Sequence, residues 1–72
     1  MKKTYKLIDL DCANCAAKME ERIKKLEGVT DATVSFMTQR MTVVTESDDQ
    51  TEIMKEIVRV IRKVEPDCTV VL

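Results

Sequence analysis

The sequence contains no histidine and no tryptophan, one glycine, one proline and only two aromatic residues, Tyr5 and Phe36. So few aromatic side chains leave little surface on which nucleic-acid bases could stack. Lysine and arginine together number 12 against 13 aspartates and glutamates, which gives a net charge of −1. A chain without a basic excess is a poor ligand for phosphate backbones, so a nucleic-acid-binding function is not expected.

Long apolar runs are also missing. No stretch approaches the ~20 apolar residues that a membrane span needs, so we expect no membrane insertion by this segment. The charged start is not followed by the apolar region of a secretory signal. The three cysteines are therefore expected in a reducing compartment, the cytosol, where a close cysteine pair more often binds metal than forms a structural disulfide. A length of 72 residues has room for a single domain, residues 1–72.

Apolar periodicity predicts six elements along the chain. In order, they are a strand at 4–10, a helix at 15–26, a strand at 29–36, a strand at 41–45, a helix at 53–64 and a strand at 68–72. A turn is expected at 37–40, a capping box at 49–52 is expected to open the second helix, and Pro66 is expected to stop it. The order β-α-β-β-α-β is that of a duplicated split βαβ unit. Right-handed crossovers then place both helices on one face of a four-stranded antiparallel sheet, an α+β, ferredoxin-like sandwich.

Two local features of this pattern can be checked against the structure. The first strand has Tyr5 and Leu7 on one face and Ile8 and Leu10 on the other. Gly28, the only glycine, is expected at the C-cap of the first helix.

The motif that carries chemistry is Asp11-Cys12-Ala13-Asn14-Cys15, between the first strand and the first helix. Cys15 is expected in the first helical turn, where unpaired N–H groups and the helix dipole stabilise the thiolate that binds metals. Two sulfurs suffice for Cu(I), whereas Zn(II) and Cd(II) require about four ligands. Asp11 could add a carboxylate oxygen, which would favour a divalent ion; the alternative is that Asp11 is a surface residue or a helix cap.

Because histidine is absent, any further ligand must be a carboxylate, Cys68, water or a group from a partner protein. Cys68 follows a loop that this fold places beside the cysteine motif, so it is an additional candidate. The alternative is that it is a small, partly buried strand residue. Glu65 and Asp67 are candidate outer donors, with solvated turn residues as the alternative.

On a βαββαβ unit, this cysteine loop resembles that of the heavy-metal-associated domain family. The resemblance lies in Leu10-Asp11-Cys12-Ala13-Asn14-Cys15, and also in Gly28-Val29, Val34-Ser35-Phe36 and Glu65-Pro66-Asp67. Members of this family are metallochaperones and cytoplasmic N-terminal domains of heavy-metal-transporting P-type ATPases. Copper members usually carry Met and then Thr or His where this chain has Leu10 and Asp11. In the family, Asp at that position goes with the export of zinc, cadmium and lead.

The resemblance implies a cytosolic, non-catalytic domain that binds Zn(II) or Cd(II), with Pb(II) as a further candidate, through Asp11, Cys12 and Cys15, and with Cys68 as an additional candidate ligand. It would pass the ion by ligand exchange to, or regulate, a heavy-metal P-type ATPase whose other domains are its partners. The alternatives are a free-standing copper or mercury metallochaperone, a redox module that cycles a Cys12–Cys15 disulfide, and a purely structural interaction domain. A large ion without a fourth protein ligand could also bridge two molecules into a dimer.

Overall fold

The computed structural model describes residues 1–71, and the six elements follow the predicted order. They are β1 (Lys2–Ile8), α1 (Ala13–Lys24), β2 (Val29–Ser35), β3 (Arg40–Thr45), α2 (Thr51–Val64) and β4 (Thr69–Val71). Leu72, the end of the predicted last strand, lies outside the described residues. Within residues 1–71, neither helix combines the length and the apolar character needed to cross a bilayer.

The four strands form one antiparallel sheet in the order β2-β3-β1-β4. Each helix connects two strands that are not neighbours along this order, which is the split βαβ arrangement. The predicted ferredoxin-like sandwich is therefore confirmed. Its topology brings the end of β1, the start of α1 and the end of α2 to the same end of the molecule.

The core lies between the helices and one face of the sheet. Alternate residues of the strands face apolar positions of both helices: Tyr5, Leu7, Ala32, Met41 and Val43 from the sheet, and Met19, Ile23, Ile57 and Ile61 from the helices. Each large apolar side chain that becomes fully buried contributes roughly 1.5–3 kcal/mol to folding. We therefore expect the domain to stay folded when no ion is bound.

Leu10 lies on the opposite side from the one that strand alternation predicted. Ile8 is 43% exposed, whereas Leu10 is only 2% exposed, so the two residues do not share a face. The reason is that β1 ends at Ile8 and Asp9 has a left-handed backbone with φ 62°. This turn interrupts the alternation and returns the next side chain to the core.

Gly28 is not the cap of α1, since the C-cap residue is Lys25, whose N–H bonds to the carbonyls of Arg22 and Ile23. Gly28 lies in the following turn with φ 90°, and a Cβ there would be 3.1 Å from Ile53 Cδ1. The positive φ therefore favours glycine in that turn, and a larger residue would also require the Ile53 side chain to shift.

The start of α2 also differs from the predicted capping box. Its N-cap is Gln50, which makes no side-chain capping hydrogen bond. Asp49 Oδ1 instead accepts a hydrogen bond from the Thr51 N–H at 2.9 Å. Hydrogen bonding with the Thr51 side chain, and then with this N–H, lowers the pKa of Asp49. The Asp49 N–H, which a capping box would pair with Glu52, is paired with Ser47 Oγ. The aspartate thus stabilises the turn before the helix rather than forming a reciprocal box.

Candidate metal centre

Cys12 is the N-cap of α1. Its backbone is extended, with φ −129° and ψ 120°, and its carbonyl accepts the first helical hydrogen bond from the Ala16 N–H. Its Sγ accepts a hydrogen bond from the Cys15 N–H at 3.3 Å. A sulfur therefore fills the position that an oxygen of Ser, Thr, Asp or Asn usually fills. The alternative in which Asp11 caps this helix is wrong.

Cys15 lies in the first turn of α1, as predicted, and is half-buried against the core. Its Sγ lies 3.8 Å from Glu65 Oε2, within reach of a weak hydrogen bond. Glu65 is the C-cap of α2, held by a 2.8 Å bond from its N–H to the Ile61 carbonyl. The end of α2 thus brings a carboxylate to the start of α1, between residues that are 50 positions apart in the sequence.

The two thiols differ in acidity. The pKa of Cys12 is lowered because the Cys15 thiol and the Cys15 N–H both donate to its sulfur. The pKa of Cys15 is raised to about 11 because Cys12 accepts its proton in a hydrogen bond, with desolvation and the charges of Cys12 and Glu65 acting in the same direction. The expected stabilisation of a Cys15 thiolate in the first helical turn is therefore wrong, and the more acidic sulfur is that of Cys12. The backbone N–H of Cys15, in the first turn of the helix, donates to the sulfur of Cys12, the N-cap residue.

Asp11 is exposed and directly precedes the cap residue. Among residues 1–71, no group of three or more Cys, Asp, Glu or His side chains is arranged to hold an ion. The structure thus pairs Cys12 with Cys15 and sets Glu65 beside Cys15, but it does not gather Asp11 with both cysteines. The ligand role of Asp11 stays a prediction.

Cys68 is 3% exposed and belongs to the hydrophobic core. Burial raises the pKa of its thiol, and the negative charges of Glu65, Asp9 and Asp11 raise it further. The backbone N–H of Cys68 bonds to the Glu65 carbonyl at 3.1 Å, which fixes the turn between α2 and β4. Its burial suits a packing role, and its role as an extra sulfur ligand stays a prediction. Asp67, in the same turn, is exposed.

Residues 4–67 match the model of the heavy-metal-associated domain. The chain belongs to this family. It is 45% identical over 49 residues to a protein of Listeria monocytogenes named probable cadmium-transporting ATPase, in an alignment that covers 68% of this chain and 7% of the relative. It is 29% identical over 70 residues to a cadmium, zinc and cobalt-transporting ATPase of Bacillus subtilis (strain 168), which covers 97% of this chain and 10% of the relative. The chain thus spans about a tenth or less of the length of these relatives.

Solved structures of other heavy-metal-associated domains share the fold. The solution structure of a copper form of a CopA variant from Bacillus subtilis is 27% identical to this chain, with a TM-score of 0.72, and the match covers 100% of this chain and 90% of that one. The predicted family is confirmed, and this is a metal-binding domain related to parts of metal-transporting ATPases. Some relatives are named for cadmium transport, whereas a solved structure with the same fold is of a copper form. The fold therefore does not by itself select the ion.

In this heavy-metal-associated domain, one residue near the cysteine loop could not be identified from the sequence. Gln39 was assigned only to the turn at 37–40, but its side-chain amide bonds to both backbone groups of Leu10. Nothing in the apolar pattern distinguishes a turn glutamine that faces solvent from one that folds back on the chain. Only the contact itself, across 29 positions of sequence, identifies it.

The cysteine pair lies apart from a cavity of about 630 Å³ between the start of β1 and the start of α2. Its lining residues include Tyr5, Gln50 and Met54. None of the predicted ligands lines it. The candidate centre is instead a half-buried loop at the surface, open to an incoming ion or protein.

Proposed function

We propose that this domain, residues 1–72, captures Zn(II) or Cd(II), with Pb(II) as a further candidate, in the loop between β1 and α1. Cys12 and Cys15 supply two thiolates, and Asp11 supplies a carboxylate from the same loop. The observation that carries the proposal is the pair of free thiols at the start of α1 with a carboxylate 3.8 Å from one of them. Relatives named for cadmium transport support the choice of ion.

The argument for a divalent ion rests on charge and coordination number. Two thiolates complete a near-linear Cu(I) site, whereas Zn(II) and Cd(II) accept two further donors. Adding a carboxylate to two thiolates gives three negative charges, which match a divalent cation better than a monovalent one. Carboxylate oxygen is also a hard donor, which Zn(II) tolerates better than Cu(I) does.

Glu65 is a second carboxylate that meets the geometric requirement. In a tetrahedral zinc site with a Zn–S bond of ~2.3 Å and a Zn–O bond of ~2.1 Å, the sulfur and oxygen are about 3.6 Å apart. The observed distance between Cys15 Sγ and Glu65 Oε2 is 3.8 Å. An ion could therefore bind both atoms with little movement of the backbone. We include Glu65 as an outer donor and keep Asp11 as the donor from the loop.

The ion would pass in the cytosol, by ligand exchange, from this domain to a heavy-metal-exporting P-type ATPase. Alternatively, the metal-loaded domain would regulate that ATPase. Both cysteines are half-buried rather than enclosed, so a thiolate or carboxylate of a partner domain can attach before the first ligands leave. The ion is cargo, and we assign no catalytic step to these residues.

The test is a competition titration of the reduced domain with Cd(II), Zn(II) and Cu(I). Cadmium–thiolate absorption reports the divalent ion, and a chromophoric chelator reports copper. The variants are Asp11→Asn and Glu65→Gln, and the matched control is Asp67→Asn, which removes the same charge from an exposed turn residue. We expect Asp11→Asn to weaken Cd(II) and Zn(II) binding by about tenfold or more, to spare Cu(I), and to differ clearly from the control.

Glu65→Gln separates a ligand from a mere neighbour by the size and the salt dependence of the effect. Glu65 raises the pKa of Cys15, but its charge also attracts a dication more strongly than the single proton that the dication displaces, so removing a neighbouring charge alone would weaken binding only modestly, and less at high salt. Loss of a donor oxygen would weaken binding by about tenfold or more at every salt concentration. If neither variant affects Cd(II) or Zn(II), and Cu(I) alone saturates the site, the proposal is refuted.

That result would favour a copper metallochaperone, the second candidate function. One observation supports it: two sulfurs lie together while no third donor completes a cluster with them among the 71 described residues. Two-coordinate Cu(I) would need nothing more, and its binding would be indifferent to Asp11→Asn.

A further inference from the structure

The backbone that leads into the cysteine loop is held by one side chain. Gln39 Oε1 accepts a hydrogen bond from the Leu10 N–H at 3.0 Å, and Gln39 Nε2 donates to the Leu10 carbonyl at 2.6 Å. The same nitrogen donates to the Phe36 carbonyl at 2.9 Å. The primary amide of Gln39 thus pairs with the N–H and the carbonyl of one residue, Leu10, as a residue of a neighbouring antiparallel strand would, and its second donor bonds to Phe36.

This pairing continues the sheet where its backbone can no longer do so. The Leu7 N–H bonds to the backbone carbonyl of Gln39 at 2.8 Å, beyond the last paired residues of β1 and β3. Asp9 then turns the chain away with φ 62°, and the Gln39 side chain takes over at Leu10. The Leu10 side chain is itself only 2% exposed, so both its backbone and its side chain are fixed.

Backbone strain is concentrated at the same contact. Within residues 1–71, Asp9 and Gln39 are the two non-glycine residues with positive φ, at 62° and 56°. Such conformations persist only where the surrounding structure over-determines them, and they cluster at functional sites. Asp9 directly precedes Leu10, whose backbone is clamped, and Gln39 supplies the clamp.

We propose that Gln39 is a positioning residue of the metal centre, which holds the backbone of Leu10 so that Cys12, two residues later, presents its sulfur at the start of α1. The proposal rests on the proposed function. Without the clamp the loop would sample more conformations, and metal binding would have to order it. Gln39 itself binds no ion.

The length and the functional group of the side chain both matter. Glutamate has the same length, but its carboxylate would face the carbonyls of Leu10 and Phe36 without a proton to donate. Asparagine keeps the amide but is one methylene shorter. The clamp therefore requires a glutamine amide at this distance, and a residue that merely adopts positive φ cannot replace it.

The experiment uses Gln39→Gly, because glycine keeps the positive φ and removes only the clamp. The matched control is Thr38→Gly, which makes the same change at an exposed position of the same turn. In the metal-free reduced domain, amide exchange of the Leu10 N–H is measured by NMR. In the same samples, Cd(II) affinity and dissociation rate are measured by chelator competition, and thermal unfolding gives the stability.

We expect the Leu10 N–H of Gln39→Gly to exchange about tenfold faster, and Cd(II) affinity to fall about tenfold through faster dissociation, as the loss of hydrogen bonds worth about one decade in equilibrium constant predicts. Thr38→Gly should match the wild type in both. If Gln39→Gly does not fold, Gln39→Met, which keeps the side-chain length without the amide, takes its place.

An unchanged Leu10 exchange rate overturns the proposal. So does faster exchange with unchanged Cd(II) affinity, which is the result for a glutamine that serves only stability. If the wild type binds neither Cd(II) nor Zn(II), the proposed function is refuted and this inference with it. If the wild type binds and Gln39→Gly binds equally well, only the positioning role is refuted.

Discussion

The unequal acidity of the two thiols predicts how metal binding depends on pH. The pKa of Cys15 is raised to about 11, so this thiol keeps its proton throughout the neutral range, and an arriving ion must displace it. One displaced proton makes the affinity change about tenfold for each pH unit. Because protons and metal compete for the same sulfur, the affinity falls as the pH falls.

Cys12 adds a second change in the pH dependence of the affinity, and the pH at which this change occurs is set by the lowered pKa of Cys12. Above that pKa its sulfur is already a thiolate, and only the Cys15 proton is displaced. Below it two protons are displaced, and the dependence steepens to about a hundredfold per pH unit. Between pH 8 and pH 6 the affinity for Cd(II) should therefore fall by about two decades or more. Ordinary carboxylates, with pKa near 4, do not titrate in this interval.

The assay is a Cd(II) competition titration at several pH values, with proton release measured by calorimetry in buffers of different ionisation enthalpy. Cys12→Ala is the informative variant, since it removes the hydrogen-bond acceptor that contributes most to raising the Cys15 pKa. The remaining Cys15 thiol should titrate closer to the ordinary value of 9.0, which thiolate absorbance in the metal-free domain measures. A flat affinity from pH 8 to pH 6, or a Cys15 thiol that titrates identically in Cys12→Ala and in the wild type, would refute the reasoning.

Four further predictions concern the stability, metal independence, assembly and redox state of the domain. Gly28→Ala should destabilise the domain by about 1–2 kcal/mol and lower the unfolding midpoint by roughly 4–16 °C. The reason is that the turn has φ 90° and the new Cβ lies 3.1 Å from Ile53 Cδ1. Thermal denaturation measures the effect, with Glu27→Ala, a change at an exposed neighbouring residue, as the control. Chelating the metal should leave the helical circular dichroism intact because the hydrophobic core lies between sheet and helices, and a cooperative loss of signal would contradict this. At excess domain, Cd(II) should promote a metal-bridged dimer in sedimentation experiments because no complete donor set exists within residues 1–71 of one molecule; monomers alone at every ratio would argue against bridging. The reduction potential of the Cys12–Cys15 pair should lie far from the cytosolic poise, with no turnover of thiol substrates, and an active dithiol cycle would instead favour the redox module.

Much of the fold could be predicted because its signals are local. Helix α2 shows its apolar spacing within a few turns, and its buried Ile57 and Ile61 lie where that spacing places them. The alternation of β3 likewise predicts which of its residues face the core. The cysteine spacing and its place before a helix were also readable directly, since neighbours in sequence stay neighbours in a turn.

Backbone turns and helix ends were predicted less well, for one physical reason. Leu10 was assigned to the wrong face because alternation assumes an extended chain, and Asp9 is not extended. Gly28 was assigned to the wrong position because its positive φ serves a turn three residues beyond the C-cap at Lys25. A residue that tolerates a left-handed backbone marks a turn but does not say which of several nearby turns it forms.

By itself, the sequence determined the order of elements, the sandwich and the metal-binding loop, because the spacing of apolar and sulfur-containing residues along the chain is sufficient for each. Tertiary structure alone decided which carboxylate approaches Cys15 and what holds the loop. The Cys15–Glu65 and Leu10–Gln39 contacts join residues 50 and 29 positions apart. Such contacts arise where helix and strand ends converge in the folded sheet, so they depend on packing that no local pattern encodes.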